Sequence, residues 1–394
     1  MNVVLLMQSI NQQIVDTTLQ ALPEDSVVTL LTGTDIVLAA PHTVVKTTEH
    51  SPKSLLSRLK CWWAYYMDVK RWYAHHKRAH VDLIYAVSNP PINSFIGLWL
   101  KKKFDAKFVY MEWDIYPQII EQSIRALPVK LVCKMWHMVN NRAFPKIDLM
   151  LTIGECMKQS ICEPVCKPIN ISVVPICTDI IRMKPVPKTE NPFRIEHSLE
   201  DKFVVIYSGK MGIGHRIPLI LDAAKCLENE YPEVVFLMIG NGPGYEETKR
   251  RIEEGAKNII LLEPQPDSVF PYSMASGDIG IVSEEAKLAK LFLPSKSYDM
   301  MACGMPIVGI CTECDDLQHL IEDNGVGLCV KDGSAQTLAE SIVLLYQDEE
   351  LRSEWGAKAR MLVEKHYSRD TIREQYREIF LSVGGNSNDQ LQRD

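Results

Sequence analysis

The chain has 394 residues, 46% of them hydrophobic and 24% charged, which is typical of a soluble globular protein. It is too long for one ordinary hydrophobic core and predicts two domains. It contains no run of about 20 apolar residues, so we expect no transmembrane helix, and the start MNVVLLMQSIN is not typical of a signal peptide. The 11 scattered cysteines argue against a disulfide framework and favour a reducing cytoplasm.

The net charge of −7 is divided unevenly along the chain. Residues 1–187 hold 21 Lys and Arg against 15 Asp and Glu, a net of +6, whereas the remainder holds 22 against 35, a net of −13. A basic half in an acidic protein predicts that this half meets an anionic partner.

Short apolar runs alternate with helical patterns in the first half, which is typical of a doubly wound parallel sheet. The predicted strands lie near residues 2–7, 27–31, 82–87, 107–112, 148–153 and 171–175. The first strand contains VVLLM, a continuous apolar run, as expected of a strand that is buried on both faces.

The segment 53–80 concentrates positive charge and aromatic rings. Aromatic and basic side chains together are typical of a helix at lipid headgroups, so we predict peripheral membrane contact through 53–80. The alternative is an amphipathic helix that packs its aromatic rings on the sheet of the first domain. We expect no nucleic-acid binding, because no recognised binding module accompanies the basic patch.

A proline-rich stretch, KPVPKTENP, predicts the linker between residues 1–187 and 188–368. The pattern of strands and helices then resumes, with strands near 203–208, 234–239, 259–262, 278–282 and 306–310 and helices at 335–349, 350–366 and 369–383. We expect the polar tail 384–394 to be disordered.

The stretch LPSKSYDMMACGMPIV at 293–308 reads as a turn, a helix and a return into a buried strand. Pro294 and Ser295 are typical of a helix start, and Gly304 of a helix end. The apolar positions follow helical spacing: Tyr298, Met301 and Ala302. A helix N-terminus favours a phosphate, and Asp299 points either towards the group that carries it or into solvent.

Four segments occur here in the order typical of the retaining GT-B glycosyltransferases of family 4 (group 1). DMMACGMPIV at 299–308 resembles the family's second acid followed by A-M-A-x-G-x-P-V-V. The segments 207–227, 236–250 and 259–282 resemble its first loop and helix, its glycine turn, and its base-contacting loop with a D-I-G-I strand. The pattern is most similar to members that assemble bacterial polysaccharide or O-antigen.

The resemblance implies an α/β fold of two Rossmann-like doubly wound domains that face each other across a cleft. The first domain would take the acceptor, the second would bind the nucleotide sugar, and the helix 369–383 would cross back to the first domain. The enzyme would move a sugar from a nucleotide-diphosphate donor of the UDP or GDP type to a glycan acceptor, with the nucleotide sugar as co-substrate and no other cofactor.

The resemblance also implies where the donor diphosphate lies. Breaking a glycosyl–diphosphate bond places charge on the β-phosphate, which fixed positive charge and backbone donors stabilise. Gly209 and Gly214 match a glycine-rich turn that approaches the diphosphate closely. The family's basic positions correspond to Lys210 and to His215 or Arg216, and the alternative for Arg216 is a surface residue of the following helix.

Asp299 matches the second acid of the family's E-x7-E motif, which holds the ribose hydroxyls. Leu291 occupies the position of the first acid, and Glu284 and Glu285 are the candidate substitutes. Lys296, beside the phosphate turn, is a candidate for the missing contact to the donor.

Three further residues complete the predicted nucleotide-sugar site. Ser295 opens the phosphate-facing helix, and Gly240 belongs to a glycine turn near the nucleotide. Gln265 ends a loop whose backbone would contact the base, so the sequence does not distinguish uracil from guanine.

In the first domain, SNPPINSFIGLWLKKK followed by FVYMEWDIYPQ resembles the S-P-P…D-L-W-P strand pair of polysaccharide and O-antigen transferases. Asp114 follows a buried strand, where open α/β sheets bind ligands, and we predict that it faces the reacting sugar or the acceptor. Glu112 is a second candidate, and the alternative role of Asp114 is a helix N-cap before Pro117.

The sequence contains no D-x-D motif, which predicts a metal-independent reaction. The resemblance implies retention, through front-face departure of the diphosphate. A zinc site at Cys311, Cys314 and His319 is an alternative that lacks a second ligand pair. We therefore predict a cytoplasmic enzyme at the inner face of the plasma membrane, with a lipid-linked acceptor. A sugar-nucleotide epimerase, a small-molecule transferase and a non-catalytic scaffold subunit remain as alternatives.

Overall fold

The computed structural model describes residues 1–50, 55–124, 126–313, 315–331 and 333–384. The chain divides into two compact units, one formed by Met1–Pro175 together with the chain from Ile372 onward, and one by Ile176–Thr371. Each unit is built on its own parallel sheet. The predicted tail lies, from residue 385 on, outside the described residues.

The sheet of the first domain is parallel throughout and has the order β3-β2-β1-β4-β5-β6-β7. Its strands are β1 (Asn2–Leu6), β2 (Val27–Thr32), β3 (Thr43–Lys46), β4 (Leu83–Val87), β5 (Lys107–Glu112), β6 (Leu149–Thr152) and β7 (Ile171–Val173). β4 is buried along its whole length because helices cover both faces of such a sheet, which explains its continuous apolar sequence LIYAV.

The helices of the first domain connect these strands and cover the sheet. They are α1 (Gln12–Ala21), α2 (Leu55–His75), α3 (Asn93–Phe104), α4 (Gln118–Ser123), α5 (Leu127–Ala143), a 3-10 turn at Phe144–Lys146, and α6 (Glu155–Cys162).

The second domain repeats the design in a six-stranded parallel sheet of order β10-β9-β8-β11-β12-β13. Its strands are β8 (Phe203–Ser208), β9 (Val234–Ile239), β10 (Ile259–Leu262), β11 (Ile279–Ser283), β12 (Ile307–Ile310) and β13 (Gly327–Val330). The sheet order reverses direction between β8 and β11, the kind of switch point at which open α/β sheets bind ligands.

The helices of this domain alternate with its strands. They are α7 (Pro192–Glu196), a 3-10 turn at Ile213–His215, α8 (Ile217–Leu227), α9 (Pro243–Glu253), α10 (Phe270–Met274), α11 (Lys296–Ala302), α12 (Asp316–Gln318), a π-helical turn at His319–Asp323, α13 (Ala335–Gln347) and α14 (Glu349–His366).

A final helix, α15 (Arg369–Gly384), returns the chain to the first domain. The ring of Phe380 is fully buried and lies 5.3 Å, centroid to centroid, from that of Tyr85 in β4. This contact between rings joins the C-terminal helix to the first domain.

The boundary between the units lies at Pro175, twelve residues before the predicted position at 187. The segment 176–187 belongs to the second domain because its backbone is held there. The Thr178 N–H donates to the Tyr367 carbonyl at 2.9 Å, and the Arg360 guanidinium donates to the carbonyls of Ile180 and Met183. The domain boundary predicted from the proline-rich stretch is therefore twelve residues too far along the chain.

A buried ion pair fastens α7 to the sheet of the second domain. Arg194 Nη2 lies 2.6 Å from Asp278 Oδ2, and both side chains are almost fully buried. Asp278 also accepts from the Val204 N–H at 2.8 Å and pairs with Lys188. The acid of the D-I-G-I segment thus joins a helix and a strand of the domain.

Candidate active site

Two glycine-rich turns lie against each other at the carboxyl ends of β8 and β9. The Gly209 N–H donates to the Ile239 carbonyl at 2.9 Å, and the Met211 N–H donates to Asn241 at 2.7 Å. A Cβ on Gly240 would lie 1.9 Å from the Gly209 carbonyl oxygen, and both glycines have positive φ. Glycine is therefore required by this packing, and it brings both predicted turns to one edge of the sheet.

The ammonium of Lys296 is buried beside the first of these turns. Lys296 is the first residue of α11, and its Nζ lies 3.8 Å above the ring of Tyr207 and 3.5 Å from where a Gly209 Cβ would be. No residue that the structure describes forms a hydrogen bond with this buried Nζ. Burial lowers the pKa of Lys296 to about 7, although the nearby Glu284 carboxyl favours the charged form.

Glu284 is a second buried group without a complete set of partners. Its backbone N–H donates to the Ile310 carbonyl at 2.8 Å, but its Oε1 accepts no hydrogen bond from the described part of the chain. Burial and the negative charge of Asp315 raise its pKa well above the usual value for Glu. The Lys296 ammonium and the Glu284 carboxyl are thus both buried, and each has a polar atom without a hydrogen-bond partner in the described residues.

His215 closes the glycine-rich turn with a neutral imidazole. Its Nδ1 lies 3.3 Å from the Ser283 carbonyl, an acceptor, so Nδ1 carries the proton. The Ser283 hydroxyl in turn donates to the His215 carbonyl. Burial and the positive charges of Lys296 and Lys210 lower the pKa of His215 to about 4, so the ring is uncharged near neutral pH.

The other basic residues of the turn differ in exposure. Lys210 is exposed, and its carbonyl accepts from the Tyr207 hydroxyl at 2.8 Å. Arg216 is half-buried at the start of α8, where its Nη2 lies 3.4 Å from the Gly333 carbonyl oxygen. Gly214 accepts from the Glu285 N–H at 2.9 Å. The turn is therefore braced from two further loops.

Asp299 lies on α11 but in a separate environment from Lys296. Its Oδ1 accepts from the Thr178 hydroxyl at 2.5 Å, and burial raises its pKa while that bond lowers it. The interpretation of Asp299 as a solvent-facing residue is wrong, because the carboxyl is half-buried. Its other oxygen remains a candidate acceptor for a hydroxyl.

Three other predicted positions differ from expectation or add little. Ser295 is the N-cap residue of α11, as expected of a helix start, but it is exposed and its side chain forms no capping hydrogen bond. The Gln265 side chain donates to the Glu263 carbonyl of its own loop at 2.8 Å. Leu291, at the position of the family's first acid, is only 7% exposed, as expected of an apolar side chain.

In the first domain, Asp114 is exposed just beyond the carboxyl end of β5. Its N–H and that of Trp113 approach the Ser88 hydroxyl at 3.4 and 3.0 Å. Asp114 is not a helix N-cap, because α4 begins at Gln118 with Pro117 in the capping position. Glu112 is buried, and burial raises its pKa to about 8.

The segment predicted to contact a membrane forms α2, with residues 51–54 outside the described part. Trp62, Tyr65 and Trp72 are buried, so for these rings the packing alternative is correct. Trp63, on the other face, is 64% exposed. None of the helices in the described ranges is both long and apolar enough to span a membrane.

The alternative zinc site cannot be assembled from the described residues. Cys314 lies outside them, and His319 Nδ1 pairs with Asp323 at 2.8 Å. Within the described ranges no three His, Cys, Asp or Glu side chains are grouped as metal ligands.

The structure thus gathers the glycine turns, Lys210, His215 and Lys296 at one sheet edge. Sequence reasoning missed Tyr207, whose ring supports the Lys296 ammonium, and Ser283, which holds His215. A signal for Tyr207 existed, since it is the aromatic residue with a polar tip directly before the glycine turn.

The second domain matches a known protein family. Residues 188–361 match the family "Glycosyl transferases group 1". The probable glycosyltransferase WbjE of Pseudomonas aeruginosa is 21% identical over 288 residues, 73% of this chain and 71% of that protein. The putative colanic acid biosynthesis glycosyl transferase WcaI of Escherichia coli (strain K12) is 25% identical over 200 residues, 50% of this chain and 49% of that protein.

Among solved structures, Anabaena Alr3699/HepE in complex with UDP-glucose superposes with a TM-score of 0.73 at 19% identity, covering 97% of this chain and 100% of that one. The fold is therefore that of GT-B glycosyltransferases, with two parallel-sheet Rossmann-like domains, and the family match falls on the second of them.

Proposed function

We propose that the protein is a retaining, metal-independent glycosyltransferase that moves a sugar from a nucleotide-diphosphate donor to a glycan acceptor carried on a lipid. The observation that carries the proposal is the buried Lys296 Nζ, which lacks a hydrogen-bond partner in the described residues and lies against the Gly209 turn. Keeping an ammonium in such a place is costly unless an anion shares it. A donor diphosphate supplies that anion.

In the proposed reaction, charge grows on the β-phosphate as the glycosyl bond breaks. Lys296 and Lys210 supply fixed positive charge in place of a divalent cation, and no other cofactor than the sugar nucleotide is required. His215 remains a neutral hydrogen-bonding group in the free site, because burial keeps its pKa at about 4. Departure and attack occur on one face of the sugar, with the leaving phosphate taking the proton of the acceptor hydroxyl.

Asp299 is the proposed acceptor for the ribose hydroxyls, since one carboxylate oxygen is held by Thr178 and the other can accept from the ligand. The backbone of the 262–265 loop is the proposed contact for a uracil or guanine base, with Gly240 shaping the turn beside it. HepE, which shares the fold, was crystallised with UDP-glucose, which makes a UDP sugar the first donor to test.

The acceptor side of the proposal concerns the first domain. Asp114 is the proposed contact to the acceptor or the reacting sugar, because it is exposed beyond the carboxyl end of a buried strand. A relative is described as a colanic acid biosynthesis transferase, which favours a polysaccharide intermediate as acceptor. A lipid-linked acceptor would require work at a membrane, on the side that holds sugar nucleotides.

Thermal stabilisation by UDP, GDP and their sugars, with and without EDTA, tests the donor site. A ligand at about 100 times its dissociation constant adds about 2.7 kcal/mol, which is visible as a rise of several degrees. We expect one diphosphate series to stabilise the wild type in EDTA and to lose most of its effect in Lys296→Met and Lys210→Ala. Stabilisation that needs a divalent cation would contradict the metal-independent site.

A second candidate is a non-catalytic scaffold subunit of the same fold. The observation that favours it is Leu291, buried where the family's first acid would lie. A scaffold would bind no nucleotide in the stabilisation assay and would tolerate loss of Lys210 and Asp299 without a change in the cell's glycan.

A further inference from the structure

The outer face of α5 is a continuous stripe of exposed apolar side chains. Leu127 is 80% exposed, Leu131 61% and Met135 57%. Further exposed apolar residues continue the stripe at helical spacing: Val132, Met138 and Val139. Large apolar side chains scattered singly are ordinary, but six on one face of one helix form a patch that marks an interaction site.

The opposite face of α5 is anchored in the first domain. Cys133 and Asn140 are buried there, and the Asn140 amide donates to the Tyr116 carbonyl at 2.9 Å. The Trp136 ring stacks on Tyr116 and meets Trp62 of α2 edge-on at 6.2 Å between centroids. The helix is therefore held in position, and its apolar stripe points away from its own domain.

The Lys and Arg side chains of α5 give the helix itself charge of one sign. The sequence of α5 contains Lys130, Lys134 and Arg142 and no carboxylate, and all three cations are exposed. Arg142 and Val139 line a groove of about 540 Å³ between α3 and α5. The other charged residues of this groove are Lys101, Lys102, Lys146 and Asp105. Lys101 pairs with Asp148 at 2.7 Å, whereas the groove rim as a whole is cationic.

We propose that the α5 face docks on an anionic phospholipid bilayer. Its apolar stripe enters the boundary between headgroups and acyl chains, while its flanking cations and the groove at its C-terminal end meet headgroup phosphates. This inference deepens the membrane contact of the proposed function and rests on it. It assigns the contact to α5 rather than to the 53–80 segment, half of whose aromatic rings are buried in the domain.

A second copy of the chain is a poorer occupant for this face. A symmetric contact would bring the cations of two α5 helices together without a carboxylate on either helix to neutralise them. An anionic bilayer satisfies the apolar stripe and the cations at once.

Vesicle co-sedimentation of the full chain tests the proposal. We would compare phosphatidylcholine vesicles with vesicles that contain about 30% phosphatidylglycerol. The variant Leu131→Ser/Met135→Ser/Met138→Ser removes the centre of the stripe, and Lys130→Gln/Lys134→Gln/Arg142→Gln removes the charge. The control Met361→Ser changes an exposed methionine on α14 of the second domain.

We expect the wild type and the control to bind the anionic vesicles, and the apolar variant to bind at least about tenfold less. The charge variant should lose the preference for phosphatidylglycerol. Circular dichroism melting and stabilisation by a nucleotide should be unchanged in all variants, which separates a failure of docking from a failure of the donor site. Equal vesicle binding by the apolar variant, or no binding by the wild type, would overturn the proposal, as would self-association that only the apolar variant lacks.

Discussion

Replacing Lys296 with methionine should make the protein more stable and its donor site weaker. The substitution keeps an unbranched side chain in the space beside Tyr207 and removes the buried ammonium. A residue that only maintains the fold would change both properties in the same direction. Opposite signs are therefore the signature of a group whose burial is retained for binding.

The size of the stability gain follows from the pKa. Burial lowers the pKa of Lys296 from 10.5 to about 7, a difference worth about 5 kcal/mol against the folded state, taken as an upper bound. Because the folded pKa lies below the unfolded one, the unfolded chain binds more protons between pH 7 and pH 10.5, and stability rises with pH there. The cost is complete below pH 7, so Lys296→Met should gain about 2–5 kcal/mol at pH 6 and less at pH 9.

Urea unfolding at pH 6 and pH 9 measures the gain, and nucleotide-induced thermal stabilisation measures the loss. A charge-assisted contact to a diphosphate contributes about 1.5–3 kcal/mol, so the affinity should fall by about 10- to 100-fold. Lys210→Met is the matched control, because Lys210 is exposed and should leave the free energy of unfolding unchanged. A Lys296→Met protein that is less stable at pH 6, or that binds the diphosphate as tightly as the wild type, would refute this reasoning.

Three further predictions address the pH dependence of the site, the packing of its glycine turns, and the buried ion pair of the second domain. Donor affinity should weaken by about 30-fold between pH 6 and pH 8.5 as Lys296 loses its proton. Calorimetry at pH 8 should show that donor binding takes up a proton, and an affinity that does not change with pH would contradict a pKa of about 7 for Lys296. Gly240→Ala should destabilise by at least about 3 kcal/mol because its Cβ would meet the Gly209 carbonyl, whereas Gly255→Ala, with open space at the Cβ, should cost about 1 kcal/mol in urea unfolding. Arg194→Met should cost about 3 kcal/mol in the same assay by leaving the buried carboxyl of Asp278 without its main partner, and a neutral result would argue against the pairing.

The strands of both sheets were largely predictable because parallel strands buried on both faces are continuous apolar runs. β9, VVFLMI, lies where its sequence indicates, at Val234–Ile239. Two strands were missed for a physical reason. β3, TVVK, has a polar residue at each end and no fully buried residue, and β13, GLCV, begins with a glycine and is only half-buried in its middle. Neither presents enough apolar sequence to stand out.

The site was predictable only where a backbone requirement restricts the residue type. Gly209 and Gly240 must be glycine because their backbones nearly touch at positive φ, and that requirement is visible in the sequence as a motif. The burial of the Lys296 ammonium is not visible in this way, because the ammonium lies over the ring of Tyr207, which belongs to another element. Ser295 occupies the N-cap position that its residue type indicates, but its side chain forms no capping hydrogen bond, which the sequence does not show.

Both domains keep a buried carboxyl at the carboxyl end of their sheet. Glu112 ends β5 and Glu284 follows β11, and each has one oxygen that accepts no hydrogen bond from the described chain. Burial raises both pKa values, that of Glu112 to about 8. An apolar residue at either position would make the folded state more stable than the buried carboxyl does. Both groups lie where open α/β sheets bind ligands, which is consistent with the proposed function, in which the second domain binds the donor diphosphate and the first binds the acceptor.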